Sequence, residues 1–342
     1  MKAAVYHGPG DIRIASVPDP GAPAPDGVVL EIERAAICGT DSSEWAHGPL
    51  LARPPVVLGH EFVGRVVALG EEVEGLRIGD RVVSGAGVSC GRCAWCRAGR
   101  TNLCASYHTL GLHVDGGLAE YVATPAAICR VLPDGLSGDA AAMAQPAAVA
   151  LHAVRRSRLA SGEACAVVGV GGIGAFIVAA AAAHGAAPLI AVDIDEERLE
   201  TARALGADVA IDGRADDLAS LILDATAGEG VDVVLEASGA PHAPGAALAA
   251  TRRGGRVVLV GLQSAPRELD LLSFAVREVD LLGTLAHVCD VDLPEAVDLL
   301  ARTSLAQTVL DRVIPLDALV DEGIRPLAER TARGKIVVDP KA

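Results

Sequence analysis

Seven side chains in the first third of the chain combine a metal-binding type with a suggestive setting: Cys38, His60, Glu61, Cys90, Cys93, Cys96 and Cys104. Four of them share one fifteen-residue window, Cys90-Gly-Arg-Cys93-Ala-Trp-Cys96 and then Cys104, separated by two, two and seven residues. Thiolates so spaced can close tetrahedrally around one zinc, leaving no position for water or substrate, so the expected role is to hold a loop-rich lobe together. An iron–sulfur cluster is the rival reading, although Cys104 lies farther away than in the bacterial ferredoxin run and no proline follows it. Cys38, His60 and Glu61 offer thiolate, imidazole and carboxylate, all zinc-ligand types, near predicted strand ends. Taken singly, each also reads as a core cysteine, a satisfied buried histidine or a surface charge.

A second chemistry is written in glycine. Val167-Val168-Gly169-Val170-Gly171-Gly172-Ile173-Gly174 sets a G-x-G-x-x-G turn after an apolar strand and before an Ala-rich stretch, 175–184. Gly169 permits the tight turn, Gly171 lets backbone approach a pyrophosphate, and Gly174 allows close helix-to-strand packing, while the helix N-terminus offers free N–H groups. Asp193 ends the next apolar run, nineteen residues after Gly174, where an acid accepts hydrogen bonds from ribose hydroxyls. It predicts NAD over NADP, because a 2′-phosphate would bring about two further negative charges with no arginine immediately beside Asp193 to compensate. Arg198 is expected to pack on the adenine or to lie on the surface, and Asp193 can alternatively serve as a helix N-cap.

These groups need two kinds of scaffold. Residues 2 to about 87 alternate in short runs such as Val28-Val29-Leu30-Glu31-Ile32 and Arg81-Val82-Val83, broken by Gly and Pro, which predicts an all-β unit followed by a loop-rich segment at 84–125. After Pro146 the rhythm becomes apolar strand, glycine turn and Ala-rich helix, with strands expected at 164–170, 188–193, 208–212, 231–237 and 256–261 and a sixth ending near Leu285. That alternation means βαβ units and a parallel sheet, whose strands read as continuous apolar runs because helices cover both faces. A helix near 294–302 and a final strand, Lys335-Ile336-Val337-Val338, are expected to return to the first domain. The expected division is 1–148 with 286–342, and 149–285.

A formal charge of −15 works against binding to nucleic acid, which requires clustered Lys and Arg. No apolar run is long and Gly-poor enough to span a bilayer, and the opening Met1-Lys2-Ala3-Ala4-Val5-Tyr6 reads as a strand, not a secretory signal, so a cytoplasmic protein is expected.

Taken together, Gly59-His60-Glu61-Phe62-Val63-Gly64, Gly79-Asp80-Arg81-Val82, the Cys90 to Cys104 lobe, the Gly169 turn and Asp193 resemble, in order, the zinc-containing medium-chain dehydrogenase family. The resemblance runs from about residue 2 to 338. Cys38-Gly39-Thr40-Asp41 and Gln145-Pro146-Ala147-Ala148-Val149-Ala150-Leu151-His152 are most similar to the butanediol, sorbitol and threonine dehydrogenase branch. The resemblance implies an α/β-plus-β protein, a GroES-like catalytic domain and a Rossmann doubly wound domain meeting at an active-site cleft. It implies two zinc ions per subunit, NAD, a small alcohol substrate, and a homo-oligomer, dimer or tetramer. Cys38, His60 and Glu61 become the ligands of a catalytic zinc that lets an alcohol lose its proton before hydride leaves for the nicotinamide. Thr40 resembles the hydroxyl that passes this proton on, with a helix N-cap as its alternative. Gly261, Leu262, Thr284 and Leu285 are expected beside the nicotinamide.

This sequence departs from the branch at three places. Gln145 stands where the polyol enzymes usually have Glu; it can offer only an amide oxygen to zinc or hold the bound water, and losing a nearby negative charge should keep that water acidic. Ser43 stands where a His is frequent, so the usual proton exit is altered, with His47 and solvent as the open alternatives for completing it. Leu285-Ala286-His287 replaces an Arg that grips polyols, which argues against a true sorbitol enzyme; the resemblance to the branch implies a vicinal diol, cyclitol or amino-polyol as substrate. A threonine-type dehydrogenase, and a non-catalytic zinc and nucleotide-binding redox sensor, are the alternatives.

Overall fold

The computed structural model describes residues 1–214, 217–263 and 265–342. The chain divides into two units, Met1–Ala148 with His287–Ala342 and Val149–Ala286, so residue 286 sits with the second unit and not with the returning tail.

The first unit is built on a seven-stranded sheet in the order Cys129–Val131, Arg81–Ser84, Glu61–Leu69, Gly27–Ala36, Lys335–Asp339, Leu310–Pro315, with Tyr121–Pro125 also paired to Gly27–Ala36. A three-stranded sheet joins Asp11–Ser16, Lys2–Gly8 and Val56–Val57. The C-terminal strand therefore enters the middle of the first sheet, antiparallel to Gly27–Ala36 through Val337 opposite Ala36 and Val338 opposite Ala35. On its other side Gly27–Ala36 pairs with Glu61–Leu69, Ala36 standing opposite Glu61. Where these three strands end together, the chain has placed Cys38, His60, Glu61 and Lys335. The unit is not purely β, since Gly39–His47 forms a helix directly after Cys38. Its sequence, Gly-Thr-Asp-Ser-Ser-Glu-Trp-Ala-His, has little apolar periodicity to announce a helix.

The second unit holds six strands, all paired in parallel, ordered Val209–Asp212, Leu189–Asp193, Cys165–Val168, Val231–Glu236, Thr251–Leu259, Asp280–Gly283. Numbered along the unit this is 3-2-1-4-5-6, the doubly wound order in which nucleotides bind at the carboxyl ends of the strands. Ile190, Val234 and Val257 are fully buried in its core. The sixth strand lies at Asp280–Gly283 and leaves Thr284 and Leu285 in the loop beyond it. Among the described residues, no helix is long and apolar enough to cross a membrane.

Candidate metal and nucleotide sites

Ligand atoms of Cys38, His60 and Glu61 all lie within 4.8 Å of one another. Cys38 is the N-cap of the Gly39–His47 helix, while Glu61 opens the Glu61–Leu69 strand and His60 immediately precedes it. His60 and Glu61 are 5% and 1% exposed, so their charges meet almost no water.

Two further groups complete the cluster, and neither was assigned a role from sequence. Asp41, wholly buried, accepts the backbone N–H of Cys38 at 2.9 Å and brings Oδ1 to 3.6 Å from His60 Nδ1. Lys335, at the start of the C-terminal strand, sets Nζ 2.5 Å from Glu61 Oε2. Its signal was a lysine opening the otherwise apolar run Ile336-Val337-Val338; that of Asp41 was its place in the Cys38-Gly39-Thr40-Asp41 turn.

The electrostatics of the cluster favour a bound cation. Burial pushes the Asp41 carboxyl up, against the pull of His60. For His60 burial opposes the imidazolium, yet Cys38, Asp41 and Glu61 outweigh it and raise the group to about 10. Burial likewise opposes the Lys335 ammonium, and Glu61 and Cys38 overcome it. Three acidic groups thus converge on one permanent cation, and without metal the imidazole must hold a proton to help balance them. Buried anions require such compensation, and a divalent ion bound by thiolate, imidazole and carboxylate supplies it.

Thr40 lies in the first turn of the helix, its Oγ1 3.6 Å from Cys38 Sγ, so Cys38 and not Thr40 is the N-cap. Ser43 donates to Gly39 O at 2.9 Å, returning its hydroxyl to the helix backbone. Gln145 is buried in the first turn of the Ala144–Ser157 helix. His287 is buried, with Nε2 2.9 Å from Gly85 O, a structural placement.

The sulfurs of Cys90, Cys93, Cys96 and Cys104 also lie within 4.8 Å of one another, all as free cysteines. Cys93 and Cys96 are 3.5 Å apart, and the N–H groups of Cys90 and Ser106 point at Cys104 Sγ from 3.2 and 3.3 Å. Zinc–sulfur bonds in a tetrahedron put sulfurs about 3.8 Å apart, so the four are gathered as one zinc would hold them. Backbone N–H groups, that of Ala105 foremost, lower the Cys93 thiol to about 6, whereas desolvation raises Cys96 to about 11.

In the second unit, Gly174 opens the helix Gly174–Ala183, and a Cβ there would stand 1.8 Å from Gly169 O, so helix and turn touch backbone to backbone. Gly169 has φ +90°. A Cβ on Gly172 would meet nothing within 4 Å and one on Gly171 only Arg198 Nη1, at 3.8 Å. The helix has no side-chain cap, so the turn presents open backbone at a helix N-terminus, a cradle that fits a pyrophosphate. Asp193 accepts from Val170 N at 2.7 Å and Asp195 N at 3.1 Å. Two expectations change here. Asp195, not Asp193, caps the Glu196–Ala204 helix. An arginine does stand beside Asp193, with Arg198 Nη1 3.8 Å from its Oδ1. Beyond the sheet's carboxyl edge Leu262 is 87% exposed, while Thr284 Oγ1 is buried with no hydrogen-bond partner among the described residues.

The doubly wound unit with its glycine turn, and the sheet-end cluster of thiol, imidazole and carboxylate, define a metal-dependent dehydrogenase. Residues 24–134 match the alcohol dehydrogenase GroES-like domain and residues 172–302 the zinc-binding dehydrogenase domain. The chain is 36% identical over 306 residues to sorbitol dehydrogenase of Bacillus subtilis (strain 168), covering 88% of this chain and 86% of that protein. It belongs to the zinc-containing alcohol dehydrogenase family. Among solved structures it is similar to 2R,3R-butanediol dehydrogenase from Bacillus subtilis, with TM-score 0.91, 33% identity and 99% of each chain covered. A zinc-binding dehydrogenase from Sinorhizobium meliloti 1021 bound to NADP gives TM-score 0.91 and 32% identity, again over 99% of both chains.

Proposed function

We propose that this dehydrogenase interconverts a secondary alcohol carrying a neighbouring polar group, a vicinal diol, cyclitol or amino-polyol, with its ketone, using NAD. The observation that carries the reading is the convergence of Cys38, His60 and Glu61 within 4.8 Å, backed by Asp41 and Lys335. When bound, zinc supplies Lewis acidity that lets an alcohol give up its proton near neutrality, and the nicotinamide supplies the hydride acceptor. Cys38, His60 and Glu61 hold the metal, Asp41 keeps negative charge behind the imidazole, and Lys335 restrains Glu61. The Thr40 hydroxyl takes the alcohol's proton onward. Gln145, buried and neutral, would add no negative charge to the unit that holds the metal ligands. The four-cysteine lobe takes a second, structural zinc.

The similarity to sorbitol and butanediol dehydrogenases supports a polyol or diol as substrate class. NAD is favoured because the Asp193 carboxylate is buried and tied to two backbone N–H groups, so it cannot swing away from an incoming 2′-phosphate. Arg198 offsets part of that charge, which makes the preference narrower than a lone carboxylate would give. A spectrophotometric screen of diols, cyclitols, amino-polyols and threonine, with NAD+ and NADP+ in parallel, tests both parts. NADH formation from at least one neighbouring-group alcohol is expected; turnover of threonine alone, or of none while the nucleotide still binds, would overturn the substrate reading.

A further inference from the structure

Glu236 ends the strand Val231–Glu236 and is completely buried. A carboxylate kept from water must be compensated locally, and here the compensation is one-sided. Its Oε1 accepts from Ser238 N at 2.8 Å, from Gly239 N at 2.9 Å and from the Ser238 hydroxyl at 2.5 Å. Its Oε2 is buried with no hydrogen-bond partner among the described residues. The carbonyl of the same residue accepts the N–H groups of Val260 and Gly261, each at 2.8 Å. Glu236 therefore fastens two turns, Ser238-Gly239 and Val260-Gly261, at the carboxyl edge of the parallel sheet, the edge at which such sheets take nucleotides. The turns are in close register: a Cβ on Gly261 would lie 2.4 Å from Gly239 N and 3.0 Å from Glu236 Oε2.

A neutral amide could accept the same three hydrogen bonds, so the structural role alone does not require a charge. A buried anion with one oxygen unsolvated acts through a poorly polarisable interior on whatever binds against the turns it supports. The oxidised nicotinamide ring carries a positive charge that the reduced ring lacks. We propose that Glu236 is an electrostatic positioning residue that biases this site toward the oxidised nicotinamide dinucleotide. The inference rests on the nucleotide reading given above.

The test is the ratio of two dissociation constants on the zinc-loaded protein, for NAD+ by calorimetry and for NADH by its fluorescence. Glu236→Gln keeps an acceptor for Ser238 and Gly239 and removes the charge; the NAD+ constant should rise relative to the NADH constant by roughly three- to tenfold. Glu236→Asp retains the charge on a shorter arm, and both constants should rise together with their ratio kept. Equal weakening of both nucleotides in Glu236→Gln would make Glu236 a structural anchor only and overturn the inference. Should that variant fail to fold, Ser238→Ala removes one donor at an exposed position and leaves more of the charge uncompensated, so the ratio must move toward NAD+; an unmoved ratio again overturns the inference. If the unaltered protein binds neither NAD+ nor NADH, the nucleotide reading fails first, a result distinct from bound nucleotides whose ratio does not respond.

Discussion

Lys335 and Glu61 form an ion pair at 2.5 Å between side chains 7% and 1% exposed. Removing one member of such a pair leaves an uncompensated buried charge and costs about 3–5 kcal/mol. Lys335→Met should cost the metal-free protein about that much, and the zinc-loaded protein clearly less, because the ion then neutralises Glu61; equal losses in urea unfolding with and without zinc would refute the shared role. His60 gives a pH signature of the same cluster. With the group raised from 6.5 to about 10 in the metal-free protein, its contribution to stability is fully present below about 6.5 and is lost as pH rises through about 10. Since zinc takes the neutral imidazole, loading near neutrality should expel this proton. Calorimetric zinc titrations in buffers of different ionisation enthalpy will read it, and heats that do not depend on buffer would exclude it. Gln145→Glu adds a negative charge in the same unit as the metal cluster and should raise the lower apparent pKa of alcohol oxidation, an effect absent if the pH–rate profile is unmoved.

At the scale of elements, the four-cysteine lobe lacks a core of its own. Its helix, Ala94–Arg97, has one turn and no buried residue, and the two paired strands, Gly87–Val88 and His108–Thr109, are two residues each. Metal binding must supply most of its order. Cys96→Ser should lower the zinc content by one per chain and speed amide exchange across 90–106 while the core strand Cys165–Val168 stays protected; unchanged exchange in the lobe would show that it orders itself. Legibility in the sequence follows the same division between local and distant causes. The parallel strands were readable because each is an apolar run buried on both faces, and the glycine turn because its spacing is set within one βα unit. The helix after Cys38 was obscure because its stability comes from capping at Cys38 and Asp41, not from an apolar stripe. Lys335 and Glu236 escaped notice for a different reason: their partners are Glu61, far earlier in the chain, and a pair of turns that meet only once the sheet has formed.

At the scale of the whole molecule, the second unit presents one edge that invites a partner. Asp280–Gly283 is the last strand of its sheet, so among the described residues no strand neighbours its outer backbone groups, and unprotected edges are templates for association. Beside it in the chain, Leu271 and Leu272 on the Leu271–Arg277 helix are 73% and 71% exposed, with Val276, Leu281 and Leu285 also exposed. Isolated exposed leucines are ordinary, but five exposed apolar side chains within fifteen residues of chain are apolar area that a monomer would leave in water. The homo-oligomer expected from the sequence would cover it if two such edges met about a twofold axis, since the same patch on both partners then satisfies itself. The charge of −15 per chain opposes this contact, and added salt should strengthen it by screening. Sedimentation at micromolar concentration should give an even multiple of the 34.7 kDa chain, and Leu272→Lys combined with Leu281→Lys should return it to a single chain without loss of helix or strand signal. A lone chain at every concentration and salt level would dispose of the interface.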